Sequence, residues 1–279
     1  MIVDIHTHTF PEVIRNQRER FFPDEPAFKL LYETPKARLV SVTEIIATMD
    51  AENVDVSVVF GFPWSDIDTC RLNNDYVLAA VQRHPDRLRG FCCVNPFLPE
   101  AAAEVERCLA AGLSGVGELA FYRSGIDDPC VECLAPIMAL CRRHKVPMMI
   151  HTNEPVGHRY PGKTPNTLFQ IYRMARAYPD NTLILAHWGG GIFFYQLLKR
   201  EVRETLSKVY YDTAASPFLY ETAVYRLAAE LAGSEKILFG TDFPLIKPGR
   251  YYREIEASGL NAAQRRQVLG ENAAKILNL

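Results

Sequence analysis

The sequence lacks a long apolar segment. Although 48% of its 279 residues are hydrophobic, no apolar run approaches the roughly 20 residues that a membrane-spanning helix needs. The first residues also lack the basic segment and the apolar stretch that mark a secretory signal. These absences predict a protein with no membrane partner and a cytoplasmic location.

The sequence also has little net charge and no disulfide framework. The formal net charge of −2 argues against a nucleic-acid partner bound through a basic surface. The seven cysteines are odd in number and lack the spacing of a small secreted domain. We expect reduced thiols, and the single CxxC pair, Cys130 and Cys133, has no second pair with which to form a metal site.

Eight short apolar segments alternate with helical segments along the chain. Residues 54–60 (VDVSVVF) and 182–187 (TLILAH) are examples. Short, uniformly apolar strands are typical of a parallel sheet that is covered on both faces. Eight such units in 279 residues favour a closed barrel of the α/β class, the (β/α)8 TIM barrel, over a doubly wound open sheet.

The sequence shows no sign of a second domain. We expect one domain over residues 1–279, with an irregular insertion at about 21–40 that contains Pro23, Pro26 and Pro35. An insertion of this kind near a site is often a lid or a substrate loop.

Side chains of metal-ligand type follow most of the predicted strands. They are His6 and His8 after the first strand, Glu118 after the fourth, His151 after the fifth, His187 after the sixth and Asp242 after the eighth. Residues at i and i+2 of a strand share a face, and the carboxyl ends of barrel strands surround one site. The sequence therefore predicts one metal centre built from all of these strand ends.

The mixture of imidazoles and carboxylates suits a borderline divalent ion, and we expect Zn²⁺, as one or two ions. Asp242 is a candidate both for a ligand and for the group that accepts a proton from metal-bound water. His187 either binds metal or stabilises a developing oxyanion. The Gly189–Gly191 run after His187 is expected to allow close backbone approach, because it lacks a nucleotide-binding context.

Five motifs give the chain a family resemblance. They are DIHTH at 4–8, IHTNEP at 150–155, AHWGGG at 186–191, ILFGTDFP at 237–244 and LGENAAKIL at 269–277. Together they resemble the amidohydrolase superfamily, in the amidohydrolase-2 branch that is similar to aminocarboxymuconate-semialdehyde decarboxylase. The resemblance implies that His6, His8, His151 and Asp242 bind a first metal ion and that His187 is the catalytic histidine.

Glu118 departs from that branch, whose decarboxylase-like members lack a metal-binding carboxylate at strand four. A glutamate at this position resembles the TatD-type hydrolases, where it bridges two metal ions and the histidine of strand six binds the second. The same residues thus support a one-metal or a two-metal site. The structural alternative for Glu118 is a salt bridge at the barrel mouth with Arg123.

Six further side chains in the predicted loops are candidates for contacting a substrate. They are Trp64, Arg123, Glu154, His158, Arg159 and Trp188. An arginine would suit an anionic substrate, and the two indoles would form an apolar wall. The alternatives are loop scaffolding for the polar residues and core packing for the tryptophans.

The leading functional interpretation is a metal-dependent hydrolase that attacks a C–O or C–N bond of a small molecule with metal-activated water. Its substrate would be an ester, a lactone or an amide. The alternative is non-oxidative decarboxylation of an aromatic or muconate-like acid on the same metal. A TatD-like phosphoesterase is third, and a metal-binding scaffold is the alternative outside enzymes. A homodimer is compatible with the sequence.

Overall fold

Eight parallel strands, taken in chain order, form the wall of a barrel. The structure, a computed structural model, describes residues 1–279. The strands are β1 (Val3–His8), β2 (Val56–Phe60), β3 (Leu88–Cys92), β4 (Gly115–Leu119), β5 (Met148–Ile150), β6 (Leu183–Leu185), β7 (Val209–Asp212) and β8 (Ile237–Leu238). Each strand pairs with the next in parallel. The predicted (β/α)8 TIM barrel is confirmed.

Backbone hydrogen bonds between β1 and the segment after β8 close the barrel. The amide of Ile5 donates to the carbonyl of Phe239 at 2.9 Å, and the amide of Asp242 donates to the carbonyl of His6 at 3.0 Å. These bonds join the first strand to the last, so His6 and Asp242 become neighbours although the sequence separates them by most of its length.

Helices on the outside of the barrel cover the sheet. They are α1 (Glu12–Asn16), α2 (Pro26–Tyr32), α3 (Val42–Glu52), α4 (Ile67–Arg83), α5 (Ala101–Ala110), α6 (Asp128–His144), α7 (Leu168–Ala177), α8 (Arg200–Thr205), α9 (Ser216–Leu219), α10 (Ala223–Ala232), α11 (Pro248–Ala257), α12 (Ala262–Arg266) and α13 (Asn272–Leu277). A capping box formed by Ser41 and Glu44 begins α3. None of the helices has both the length and the apolar character that crossing a membrane requires.

The apolar core has two parts. A cluster of 59 buried residues includes the apolar residues between strands and helices. A separate cluster of 11 comes from β1, β2, β3, β5, β6, β8 and α13, and residues of so many strands can meet only inside the barrel. Phe60, a member of this inner cluster, packs its ring against His6 and His8, with centroids 5.2 and 4.8 Å apart. The inner core therefore supports the rings of His6 and His8 from inside the barrel.

The insertion at 21–40 is more regular than the sequence suggests, because it contains helix α2. The buried carboxylate of Glu25 accepts hydrogen bonds from the amide and the hydroxyl of Ser65, at 2.6 and 3.1 Å. Phe28 is fully buried and packs against Phe62 and Trp64, with ring centroids 5.6 and 4.5 Å apart. The prolines permit this helix because Pro26 lies in its first turn, where a missing N–H costs nothing. The insertion is thus anchored to the loop after β2.

Replacing Phe28 by alanine should destabilise the protein by about 3–5 kcal/mol, because it empties a fully enclosed aromatic site. Leu30→Ala is the matched control, since Leu30 lies in the same helix with 48% of its surface exposed, and it should cost less than about 0.5 kcal/mol. Urea unfolding followed by circular dichroism measures both. Equal, small effects would contradict the anchoring of the insertion.

Candidate metal centre

The six predicted ligands lie together at the carboxyl ends of their strands. His6 and His8 belong to β1 and Glu118 to β4, while His151, His187 and Asp242 follow β5, β6 and β8. Four of the six are buried, and the side chains of His8 and Asp242 are only 14% and 17% exposed. Overlapping groups drawn from these six residues have the spacing of metal ligands. The structure therefore brings together the residues that the sequence singled out.

The nitrogen and oxygen atoms at the centre are close enough to share an ion. The Nε2 atoms of His6 and His8 are 3.2 Å apart. Asp242 Oδ1 lies 3.6 Å from His6 Nε2 and 3.2 Å from His8 Nε2. Two ligand atoms bound at about 2.1 Å to one tetrahedral ion lie about 3.4 Å apart. The observed separations thus match a shared divalent ion without any rearrangement.

Each of the four histidines uses one ring nitrogen outside the centre, where its partner is a pure acceptor. His6 Nδ1 donates to Asp212 at 2.8 Å, and His187 Nδ1 donates to the carbonyl of Ala214 at 3.0 Å. His8 Nδ1 faces the carbonyl of Gly61, and His151 Nε2 donates to the carbonyl of Gly162.

Because these outer nitrogens hold the proton of a neutral imidazole, the inner nitrogens present lone pairs to the centre. Such acceptors also orient the ring and raise its basicity as a ligand. Four lone pairs and two carboxylates that face one another need a cation. The donor set therefore fits a metal ion.

The pKa values of the residues at the centre also indicate that it favours a positive charge. Burial lowers the pKa of His6, but the carboxylates of Glu118 and Asp212 outweigh it and raise that pKa to about 10. Burial likewise lowers the pKa of His187, and Glu118 raises it to about 9. Burial raises the pKa of Asp242, yet the hydrogen bond from His8 and the charge on His6 hold it well below its usual range. Without a metal ion, protons on the inner nitrogens supply the positive charge, and a metal ion would replace them. All these shifts therefore describe a centre that stabilises a cation.

Asp212 is a site residue that the sequence reasoning missed. It ends β7 and is completely buried. Its Oδ2 accepts from His6 Nδ1, while its Oδ1 accepts from the amides of His187 and Ala214 at 2.8 and 3.0 Å. One carboxylate therefore orients the ring of one candidate ligand and the backbone of another. The signal was present, because Asp212 is also an acidic residue at the end of a predicted strand.

His187 begins a left-handed turn. Residues 187–191 all have positive φ, between 55° and 89°. A Cβ at Gly190 would lie 2.4 Å from the carbonyl oxygen of Asn153, so only glycine allows the two backbones to approach this closely. The glycine run therefore serves close approach beside His187, as expected.

The two tryptophans that the sequence offered as substrate contacts pack inside the protein. Trp64 and Trp188 are both fully buried. The Trp64 indole donates to Asn73 Oδ1 at 3.2 Å, and the Trp188 indole donates to the hydroxyl of Ser216 at 3.0 Å. Both side chains therefore pack in the core, and each indole N–H has its hydrogen-bond partner inside the protein.

The predicted polar contacts lie on the surface or are paired within their own loop. Arg123, His158 and Arg159 are exposed, and no ion pair joins Arg123 to Glu118, whose partners are the histidines. Glu154 accepts from Lys163 at 2.7 Å and from the Tyr160 hydroxyl at 2.8 Å. The loop after β5 is thus held by its own polar contacts, which is the scaffolding alternative for Glu154.

All seven cysteines are free thiols, as expected. Cys92, Cys108 and Glu104 form a buried group with the spacing of metal ligands. The Glu104 carboxylate, however, already accepts from Arg107 and Asn74, at 2.8 and 2.9 Å. Burial also raises the pKa of the Cys92 thiol well above its usual range, so this group is a packed polar contact.

A family model that describes amidohydrolases matches residues 3–279. This match covers nearly the whole chain and agrees with the barrel and with the ligand types at its strand ends. The chain belongs to the amidohydrolase family. Membership favours an enzyme over a metal-binding scaffold.

Among curated proteins, the chain is similar to two gamma-resorcylate decarboxylases. The protein from Rhodococcus jostii (strain RHA1) is 25% identical over 297 residues, which cover 88% of this chain and 90% of that protein. The protein from Polaromonas sp. (strain JS666) is 25% identical over 253 residues, which cover 76% of this chain and 77% of the other.

Solved structures share the fold. The 5-carboxyvanillate decarboxylase from Sphingomonas paucimobilis has a TM-score of 0.77 at 18% identity, with 100% of this chain and 99% of that chain covered. The dihydroxybenzoic acid decarboxylase from Polaromonas sp. JS666, with bound manganese and the inhibitor 2-nitroresorcinol, has a TM-score of 0.74 at 18% identity, with 100% and 97% covered.

The leading interpretation as a hydrolase is wrong on this comparison, because the named relatives are decarboxylases. The TatD-like phosphoesterase gains no support from them. Hydrolysis and decarboxylation can use the same strand-end ligands, so the residue types that led to the prediction do not separate the two reactions. The expectation of zinc is not confirmed either, since the Polaromonas structure carries manganese.

Asp212→Asn should lower the affinity for Mn²⁺ about 10- to 100-fold. An asparagine amide facing His6 Nδ1 would donate to it and move the imidazole proton to Nε2, which masks the ligand lone pair. Asp180→Asn is the control, since Asp180 is an exposed partner of Lys208. Calorimetric titration of metal-free protein measures both affinities. An unchanged affinity in Asp212→Asn would contradict the orienting role.

Proposed function

We propose that this chain is a metal-dependent, non-oxidative decarboxylase of hydroxylated aromatic acids. One observation carries the proposal: the two curated relatives described above are gamma-resorcylate decarboxylases, and one of them matches 88% of this chain. The buried donor set at the barrel mouth is compatible with this reaction. The partner is then a small molecule, and the function needs no nucleic acid.

We propose that His6, His8, Asp242 and Glu118 hold a divalent ion. Manganese is our first choice over zinc, because relatives from Polaromonas and Novosphingobium were solved with manganese, and this donor set accepts either ion. When bound, the ion would supply positive charge to the carboxylate and a neighbouring oxygen of the substrate.

An aromatic wall lies beside His151, another histidine of the centre. The rings of Phe62 and Tyr122 stack at 6.4 Å, and Tyr122 stacks on His151 at 6.2 Å. Tyr32, at the end of α2, lies close enough that burial, Asp242 and Glu118 together raise its pKa. Burial and Glu118 also raise the pKa of Tyr122. We assign this wall to the aromatic ring of the substrate, with both tyrosines as hydroxyl donors, because they stay protonated.

Decarboxylation replaces the bond between the ring and the carboxylate by a bond between the ring and hydrogen. A proton must reach the ring carbon, the electron pair of the broken C–C bond returns to the ring, and CO₂ leaves. We assign the proton transfer to Asp242, whose side chain is more exposed than that of Glu118. It takes one proton from solvent or substrate and passes it to the carbon.

His187 lies in one ligand group with His6 and Asp242. We propose that the positive charge around His187 holds the substrate carboxylate in place while the C–C bond breaks. The insertion around α2 contacts the loop after β5, because a Cβ placed on Gly162 would lie 3.3 Å from Leu31 Cδ2. We propose that this contact limits the access of water to the centre.

The manganese-loaded protein should release CO₂ from 2,6-dihydroxybenzoate or from 5-carboxyvanillate. Asp242→Asn should lower that rate about 10²- to 10⁴-fold, because the amide carries no transferable proton. Asp86→Asn, at an exposed position, is the control and should keep the full rate. Coupled CO₂ assays with chromatography of the product measure the reaction. Ester or amide hydrolysis without CO₂ release from any aromatic acid would refute the proposed function.

Tyr122→Phe should raise the KM for a hydroxylated aromatic acid about fivefold, the typical effect of losing one hydrogen bond of about 1 kcal/mol. The same variant should bind an analogue without ring hydroxyl groups as the unmodified protein does. Steady-state kinetics with the two compounds test the assignment. An equal change for both would mean that Tyr122 contributes only packing.

A further inference from the structure

We propose that a basic cleft outside the metal centre binds a small molecule with two or more anionic groups, phosphates or carboxylates, and that this ligand holds helix α2 in place. The walls of the cleft are residues 15–20, which begin at the end of α1, and residues 35–39, which precede α3. Its volume is about 670 Å³, within the usual range for small-molecule sites. The charged residues that line it are Arg15, Arg18, Arg20, Arg38 and Glu19.

The cleft has a positive charge that the protein itself does not neutralise. With four arginines and one glutamate, the lining has a net formal charge of +3, although the whole chain has a net charge of −2. The one ion pair that these arginines form joins Arg38 to Glu44, at 3.4 Å. Because the like charges around the cleft repel one another, a bound anion would stabilise this part of the surface.

Two of the arginines are oriented by the backbone. Arg18 donates from Nη1 to the carbonyl of Ala37 at 2.8 Å, and this bond joins the two walls. Arg15 donates from Nε to the carbonyl of Phe10 at 3.1 Å. A guanidinium has five N–H donors, so each of these side chains keeps donors for a ligand. The planar fork of N–H groups matches the oxygen atoms of a carboxylate or a phosphate.

The distribution of the arginines favours a ligand with more than one anionic group. Three of them belong to the first wall, and Arg38 belongs to the second. A single carboxylate would pair with one or two guanidinium groups and leave the rest of the positive charge in place. A molecule with two or more anionic groups would pair with arginines of both walls at once. Since the arginines are partly or fully exposed, salt should weaken this binding.

A ligand that bridges the walls would also fix both ends of the insertion that contains α2. The first wall precedes this insertion, and the second wall lies at its end. Tyr32, the last residue of α2, lies close enough to the centre that burial, Asp242 and Glu118 raise its pKa. The Arg38 guanidinium lies 6.0 Å from the centroid of the Phe243 ring, in the residue after Asp242. Binding in the cleft would therefore hold α2 beside the metal centre.

Isothermal titration calorimetry of the manganese-loaded protein tests the cleft, with fructose 1,6-bisphosphate as the phosphate probe and tricarballylate as the carboxylate probe. We expect at least one probe to bind with one molecule per chain, and the tighter probe identifies the preferred anionic group. Arg18→Gln should weaken binding about tenfold, because it removes charge-assisted hydrogen bonds. Arg20→Gln should have an effect in the same direction while it keeps the bond between Arg18 and Ala37.

Arg83→Gln is the matched control. Arg83 is the exposed last residue of α4, so its replacement removes the same charge from another part of the surface and should leave the affinity unchanged. An equal loss of affinity in Arg83→Gln would indicate an unspecific charge effect and would overturn the proposal. Equal affinities in Arg18→Gln, Arg20→Gln and the unmodified protein would do the same.

Two further results would contradict the cleft as a site. One is the absence of saturable binding below about 10 mM of either probe. The other is binding that disappears when a chelator removes manganese, because the anion would then lie on the metal ion. Hydrogen exchange followed by mass spectrometry should show slower exchange of residues 21–34 when the probe is bound. Unchanged exchange there would refute the effect on α2, and none of these measurements depends on CO₂ release.

Discussion

The structure depends on the direction in which four imidazole rings hold their protons. Each ring donates outward to a carbonyl or to a carboxylate, so each turns a lone pair inward toward Glu118 and Asp242. The arrangement is unfavourable without a cation, because hydrogen-bond acceptors, namely imidazole lone pairs and carboxylate oxygens, then face one another in a buried space. With a cation, the same contacts become ligands that are already oriented. The outer acceptors therefore determine the chemistry of the centre as much as the ligands do.

Barrel closure makes this arrangement available. The amide of Thr241 and its hydroxyl both bond to the buried carboxylate of Asp4, so the segment that carries Asp242 is fixed against β1. Asp212 then links β7 to β1 and to the turn after β6. The strands thus hold one another's ligands in place, including strands that are not direct neighbours. A barrel can assemble such a site because the carboxyl ends of all eight strands meet at one mouth.

Much of the fold and the ligand set could be predicted, for reasons that particular residues show. The runs before His151 and His187 are apolar and short, which marks buried parallel strands, and ligand types that follow such runs converge in a barrel. Asp212 follows the same rule and could have been included, but its contact with His6 Nδ1 is visible only in the structure. The sequence left two interpretations open for the tryptophans, because it does not show whether an indole faces a pocket or finds a partner such as Asn73. The helix in the insertion was hidden by its prolines.

The sequence by itself determined the barrel, the family and the residue types that gather at its mouth, because these follow from periodicity and from local motifs. Only the tertiary structure decided how those residues are used. Glu118 lies between two pairs of histidines and not beside Arg123. Asp212 accepts a hydrogen bond from the outer nitrogen of His6. Trp64 and Trp188 are buried in the core. The reason is physical: ring direction, the choice between the two oxygens of one carboxylate, and burial depend on partners contributed by distant strands. No local pattern encodes them.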